Sequence, residues 1–108
     1  MSIIEKIEQT VQELNERGIE PGPLFDTVEK MISLNYKDRF IAEYQQTKIR
    51  YEKLKNLNNQ IEAAEMTSSA GPNHTSPTFL LREQQRAMGE YLHLLEVRAV
   101  IEEVELEG

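Results

Sequence analysis

Between residues 39 and 53 the chain interleaves cations with aromatic rings: Arg39, Tyr44, Lys48, Arg50, Tyr51 and Lys53. Arginine forks and lysine ammonium groups hold phosphates, and a tyrosine stacks on a base or donates its hydroxyl. Tyr44, Lys48 and Tyr51 are spaced i, i+4 and i+7, which puts them on one face of a helix. The chemistry on offer is capture of an anionic, ring-bearing small molecule. The same spacing suits a second arrangement, in which the tyrosines are core and the cations their solvated flank. Spacing alone leaves both open.

Catalysis has much less to work with. No nucleophile elbow, phosphate-cradling glycine loop, zinc signature or carboxylate pattern with metal spacing occurs. Glu102 and Glu103 are adjacent and face different sides of a helix, so they cannot act together on one atom. His93 sits between Leu92 and Leu94 and reads as a partly buried or surface histidine, while His74 lies in a loop too loose for proton transfer. With no cysteine, a disulfide scaffold, a thiolate zinc site and a Cys nucleophile are excluded. The expectation is a protein that is not an enzyme and carries no cofactor.

Charge is distributed unevenly over the 108 residues, whose formal net charge is -7. Residues 1–34 carry 3 basic and 7 acidic side chains, whereas residues 35–66 carry 6 basic and 5 acidic. Residues 67–101 balance at 3 and 3, through Arg82, Arg86 and Arg98, and Glu102, Glu103, Glu105 and Glu107 follow. Long nucleic acid needs a basic surface, so DNA and RNA are not expected partners. A small anion held by the middle of the chain is compatible with this pattern. The acidic tail reads as a solvated, fraying helix end. No apolar run is long enough for a membrane span or a secretory segment, so a soluble, intracellular protein is expected.

The elements that must position these residues are helices. Ser2 with Glu5 makes a capping box ahead of Ile3, Ile7, Val11 and Leu14, and Gly18 and Pro21 end that segment. Gly22-Pro23 opens a second short helix with Leu24, Val28, Met31 and Ile32 as its stripe. Asn35, with Asp38 three residues on, caps a helix from Tyr36 to about Met66. Residues 67–75 are a loop by composition. Ser76-Pro77 supplies a cap and a first-turn proline for a final helix to about Val104. No stretch alternates with period two, so the fold class is all-α. Residues 1–34 form an N-terminal helical segment and residues 35–108 a helical-hairpin domain with an acidic tail.

Both long helices keep a heptad-like rhythm. Phe40, Tyr44, Thr47, Tyr51, Leu54, Asn58 and Ile61 recur at spacings of four and three. Leu81, Met88, Leu92, Leu95 and Ala99 do the same, with Leu80, Ala87, Tyr91 and Leu94 widening the stripe. A long antiparallel hairpin follows, each rod about 45 Å long. One seam cannot bury stripes this wide in so short a chain, which predicts a homo-oligomer.

Two halves of a larger pattern stand in order across this hairpin. The first is Arg39-Phe40-Ile41-Ala42-Glu43-Tyr44 with Arg50 and Lys53-Leu54; the second is Leu80-Leu81, Gln84, Met88, Tyr91-Leu92, Leu95 and Arg98. Together they resemble the helical-hairpin family of bacteriophage anti-CBASS and anti-Thoeris proteins, over about residues 36–101, roughly 60% of the chain. The resemblance implies a small, non-enzymatic cyclic nucleotide sponge. Such proteins assemble into oligomers, commonly hexamers, and hold immune second messengers where subunits meet. The anti-CBASS branch captures cyclic dinucleotides and in some members cyclic trinucleotides; the anti-Thoeris branch captures a cyclic ADP-ribose derivative. Some anti-Thoeris members carry strands before the hairpin, so the helical residues 1–34 tilt the reading towards anti-CBASS. Those residues align to neither branch. The implied location is the cytoplasm of an infected bacterial host.

Within that reading Arg39, Lys48, Arg50, Arg82 and Arg98 are the expected phosphate contacts. Tyr44 and then Tyr91 are the expected stacking residues, and Met88 and Leu95 pack. Gln84 reads a base edge or makes an interhelical hydrogen bond. Two rivals need no cyclic nucleotide. A coiled-coil structural or interaction protein explains the heptads, and a charge mimic directed at a basic protein explains the acidic ends.

Overall fold

Asn35 sets where the longest helix begins. Its backbone is extended and its Oδ1 accepts from the Lys37 N–H at 2.9 Å, the hydrogen bond an N-cap residue makes. Asp38 takes part in the cap through a relay. The Ser33 hydroxyl donates to Asp38 Oδ2 at 2.8 Å and accepts from the Asn35 N–H at 3.1 Å. Asp38 therefore satisfies the start of the helix through Ser33 instead of directly.

The computed structural model describes residues 23–106, together with Ile3, Glu5, Lys6, Glu8, Gln9 and Gln12. The expected cap at Ser2, most of the first apolar stripe, the stop at Gly18 and Pro21, and the tail residue Glu107 lie outside the described residues. Among the described residues every regular element is helical. A 3₁₀ turn (Phe25–Thr27) leads into the short α1 (Val28–Met31), followed by α2 (Tyr36–Met66) and α3 (Thr78–Glu102). The short helix expected after Pro23 is thus a tight turn plus one α-helical turn. Buried Thr27 anchors it: its hydroxyl donates to the Leu24 carbonyl at 2.7 Å and accepts from Gln46 Nε2 of α2 at 2.7 Å.

Both long helices stop in the same way, with a residue other than glycine in the left-handed region. At the end of α2, Ser68 has φ 55° and the Ser69 N–H reaches the Ala64 carbonyl at 2.9 Å. At the end of α3, Glu103 has φ 57° and the Val104 N–H reaches the Ala99 carbonyl at 2.8 Å. These six-to-one bonds satisfy carbonyls that a helix end leaves open; Ser69 stays exposed, whereas the bond at the end of α3 turns Val104 inwards. Val104 is consequently buried on Ala99, and Leu106 packs against the same cluster. This overturns the solvated, fraying tail: the helix stops at Glu102 and the segment after it folds back. The start of α3 is corrected by one position. Pro77, not Ser76, is the N-cap, with no side-chain cap bond.

The helices pack as an antiparallel hairpin around Phe40, Tyr44, Leu92, Leu95, Ala99 and Val104. Leu95 is 1% exposed and fills the centre of the seam. Towards the loop, Asn58 occupies a heptad position that apolar side chains usually hold, and it is 4% exposed. Its Nδ2 donates to the Leu81 carbonyl at 3.1 Å and to Gln85 Oε1 at 2.8 Å, while its Oδ1 has no partner among the described residues. An orphaned buried acceptor costs stability but ties one register of the seam, as a polar residue does in a coiled-coil core. Leu80, Ala87, Tyr91 and Leu94, expected to widen the buried stripe, are instead exposed. Leu80, Ala87 and Leu94 lie away from Leu92, Leu95 and Ala99, and Tyr91 lies on the flank beside α2, so α3 is apolar on two faces.

Two substitutions separate these roles in chemical denaturation. Leu95→Ala should lower stability by about 2–5 kcal/mol, because the seam cannot collapse into the cavity. Asn58→Leu should raise the melting temperature while broadening amide resonances along the seam as alternative registers become populated. A lower melting temperature with sharp resonances would show that Asn58 stabilises the hairpin instead of selecting its register.

Candidate functional site

Gln84, Tyr91 and Arg98 recur every seven residues on α3, so they form one exposed column with about 10.5 Å between neighbours. The column runs beside an apolar row of Leu80, Ala87, Leu94 and Ile101, also seven apart and exposed, with Leu94 at 59% and Ile101 at 74%. Side chains of both helices orient the column. The Tyr91 hydroxyl donates to Glu43 of α2 in a short hydrogen bond. That bond raises the Tyr91 phenol pKa above its ordinary value, since the neutral phenol is the donor; burial and the negative charge of Glu43 push the same way. Arg98 lies over the Phe40 ring at 4.7 Å and donates to Glu102 Oε2 at 2.8 Å. The bond to Glu102, opposed by desolvation and aided by the charges of Glu102 and Glu43, holds the guanidinium above its ordinary pKa. Arg98 is thus held in place by Glu102 and by the edge of the core at Phe40.

Tyr44 and Lys48 belong to a different surface. Tyr44 is 5% exposed, a core residue whose hydroxyl donates to Glu96 Oε2 at 3.1 Å across the seam. Half-buried Lys48 places its ammonium 5.8 Å from the centre of the Tyr44 ring. With Glu52 they form a ridge at i, i+4 and i+8 along α2, and a hollow lies on each side. The larger, about 570 Å³, is lined by Pro23, Thr27, Gln45, Ile49 and Leu106 besides the ridge, with Asp26 at its rim. The smaller, about 270 Å³, lies over the seam between Tyr51, Gly89, Leu92 and Glu96. A Cβ at Gly89 would stand 3.4 Å from the Tyr51 ring, an ordinary van der Waals contact.

The remaining expected contacts are dispersed. Arg39 donates from Nη1 to the Ser33 carbonyl at 2.6 Å, which ties the chain entering α2. Arg50 is exposed and lines neither hollow. Arg82 pairs with Glu65 at 3.2 Å near the loop, about 24 Å along α3 from Arg98. One small ligand on a single chain cannot touch both arginines. Of the eight residues expected together, the fold unites Gln84, Tyr91 and Arg98 in one column and Tyr44 and Lys48 on one ridge.

Glu43, Glu52, Glu96 and Leu106 were not anticipated as site residues. Glu52 was accessible to the helical spacing that linked Tyr44 and Lys48. Leu106 carries no such signal, because only the turn at Glu103 brings it back.

Residues 34–101 match the family model described as Sequestin. No curated protein and no solved structure matches the chain. Among the described residues, no helix is long and apolar enough to cross a membrane.

The Tyr91–Glu43 contact is measurable by spectrophotometric titration of the 4 tyrosines. Tyr91 should ionise at higher pH than an exposed tyrosine, and Glu43→Gln should return it towards the ordinary range. The stabilising contribution of the bond is present while the phenol is neutral and disappears as pH rises through its raised pKa. An unchanged titration in the variant would remove Glu43 as the cause.

Proposed function

The chain belongs to the Sequestin family, and from that premise we propose that it is a non-enzymatic protein that captures a cyclic nucleotide second messenger and so blocks CBASS signalling in an infected bacterium. The supporting observation is the exposed column on α3, where the Tyr91 ring and the Arg98 charge stand two helical turns apart beside Gln84. A sponge needs affinity and stoichiometry, not turnover, and side chains held on a rigid helix suit it. In this assignment Arg98 takes a phosphate, Tyr91 stacks on a base and Gln84 reads a base edge.

The apolar row beside the column supports assembly. Leu80, Ala87, Leu94 and Ile101 leave a solvent-facing stripe that a second copy of the chain would bury. An antiparallel copy centred near Tyr91 would bring its own Gln84 level with Arg98, since both residues are seven positions from Tyr91. A cyclic dinucleotide has nearly the same two-fold symmetry, and cyclic dinucleotides are accordingly the ligand class we assign, with a hexamer as the assembly. Cyclic trinucleotides and a cyclic ADP-ribose signal of Thoeris defence are the nearest alternatives. The exposed stripe is equally what a coiled-coil interaction protein would present, and ligand binding separates the two.

Thermal melting with a panel of cyclic dinucleotides, cyclic trinucleotides and cyclic ADP-ribose compounds tests the proposal. A captured ligand should raise the midpoint, by mass action on the folded form. Arg98→Ala should weaken capture roughly ten- to a hundredfold while the particle size in light scattering stays unchanged. No shift with any member of the panel sinks the sponge reading and favours the interaction protein.

A further inference from the structure

Arg98 can meet a phosphate with part of its guanidinium only. Nε and Nη2 both donate to Glu102, at 2.8 Å to Oε2 and 3.4 Å to Oε1, so this carboxylate occupies one of the two forked edges. Phe40 covers a face, with the guanidinium carbon 4.7 Å from the ring centre. The second edge, which ends in Nη1, makes no hydrogen bond among the described residues. With the side chain 54% exposed, that edge is the one left for a ligand.

The charge beside that edge is not the charge of an open phosphate site. Among the described residues, the ionisable groups that act on Arg98 are Glu102, Glu43 and Tyr91. Glu43 reaches it from α2, where its carboxylate accepts the Tyr91 hydroxyl. One cation therefore stands with two carboxylates. Neither withdraws readily, since Glu102 is fixed four residues on along the same helix and Glu43 is tied to Tyr91.

A phosphodiester, as in a cyclic dinucleotide, brings one negative charge to this cluster, whereas a terminal phosphate brings close to two at neutral pH. A carboxylate about 6 Å away weakens binding of each added unit charge roughly threefold even in the dielectric of water, so the pair opposes the second charge about tenfold. We propose that Glu43 and Glu102 are specificity-determining residues of the α3 column: they admit a phosphodiester to Arg98 and reject the doubly charged phosphate of a linear nucleotide. Nucleotides with terminal phosphates carry the same bases as a cyclic second messenger and outnumber it in a cell. A capture protein thus needs a repulsive element beside its attractive one, and these carboxylates supply it. The proposal rests on the sequestration reading of the column and deepens it.

Two measurements on the full chain at neutral pH test it. The first is calorimetry with cyclic di-AMP and cyclic di-GMP against their linear 5′-phosphorylated forms, pApA and pGpG. The second follows the Arg98 side-chain N–H resonances during titration with dimethyl phosphate, a diester, and with methyl phosphate, a monoester. The wild-type chain should prefer the diester ligand of each pair by about tenfold. Glu102→Gln and Glu43→Gln should each strengthen binding of the linear or monoester ligand roughly threefold more than that of its counterpart, and the double variant should bring the ratio near one. Glutamine keeps the shape of each side chain and neither residue is buried, so the fold is retained. Equal affinity within each pair in the wild-type chain, or a ratio that both substitutions leave unchanged, overturns the assignment. If a cyclic dinucleotide is captured and the ratio ignores both carboxylates, the selectivity fails and sequestration stands. If no cyclic dinucleotide is captured, but Arg98 distinguishes dimethyl from methyl phosphate and loses that distinction in the double variant, sequestration fails and the selectivity stands.

Discussion

The pairing of α2 with α3 in a single register is the constraint on which the other features depend. A two-helix seam has little to stop it sliding by a turn, since an apolar stripe meets an apolar stripe at every step. Polar contacts supply the stop here. Asn58 grips Leu81 and Gln85 near the loop, and Tyr44 reaches Glu96 nearer the open end. A slip of one turn, about 5.4 Å, would break these contacts and separate Glu43 from Tyr91. The orphaned Oδ1 of Asn58 is the energetic cost of that specificity.

The same seam accounts for the two-sided character of α3. Leu92, Leu95 and Ala99 face α2 and are buried, while Leu80, Ala87, Leu94 and Ile101 face outwards. One hairpin partner can cover only one of these faces. The exposed row therefore lies beside the column of Gln84, Tyr91 and Arg98, and an apolar surface flanks a charged one on a single rigid element. On the proposed reading, that adjacency suits capture between copies better than capture by an isolated chain.

Charge follows the fold more than the composition. Arg82, Arg86 and Arg98 are all neutralised by carboxylates, those of Glu65, of Glu83 and Glu90, and of Glu102. These pairs are exposed and contribute little stability, but they decide which cations stand next to aromatic rings. Arg98 keeps such a position over Phe40, whereas Arg82 does not. The acidic excess of the sequence is thereby spread over helix surfaces and leaves local sites of either sign.

Much of the hairpin was legible in the residues alone. Asn35, the Ser- and Gly-containing loop after Met66, and the heptads placed both long helices, because caps, turn residues and apolar period act over a few neighbours. Seven-residue spacing likewise put Gln84, Tyr91 and Arg98 on one line. Local rules could not say that Glu103 would adopt a left-handed turn, since the bond that holds it there ends in buried Val104. Nor could they divide eight candidate residues among a column, a ridge and three scattered arginines. The sequence by itself determined the two long helices and their ends to within a residue or two, but it overstated the buried face of α3. Only the tertiary structure decided which face meets which, because that choice is made by side chains some fifty positions apart, such as Tyr44 with Glu96 and Glu43 with Tyr91.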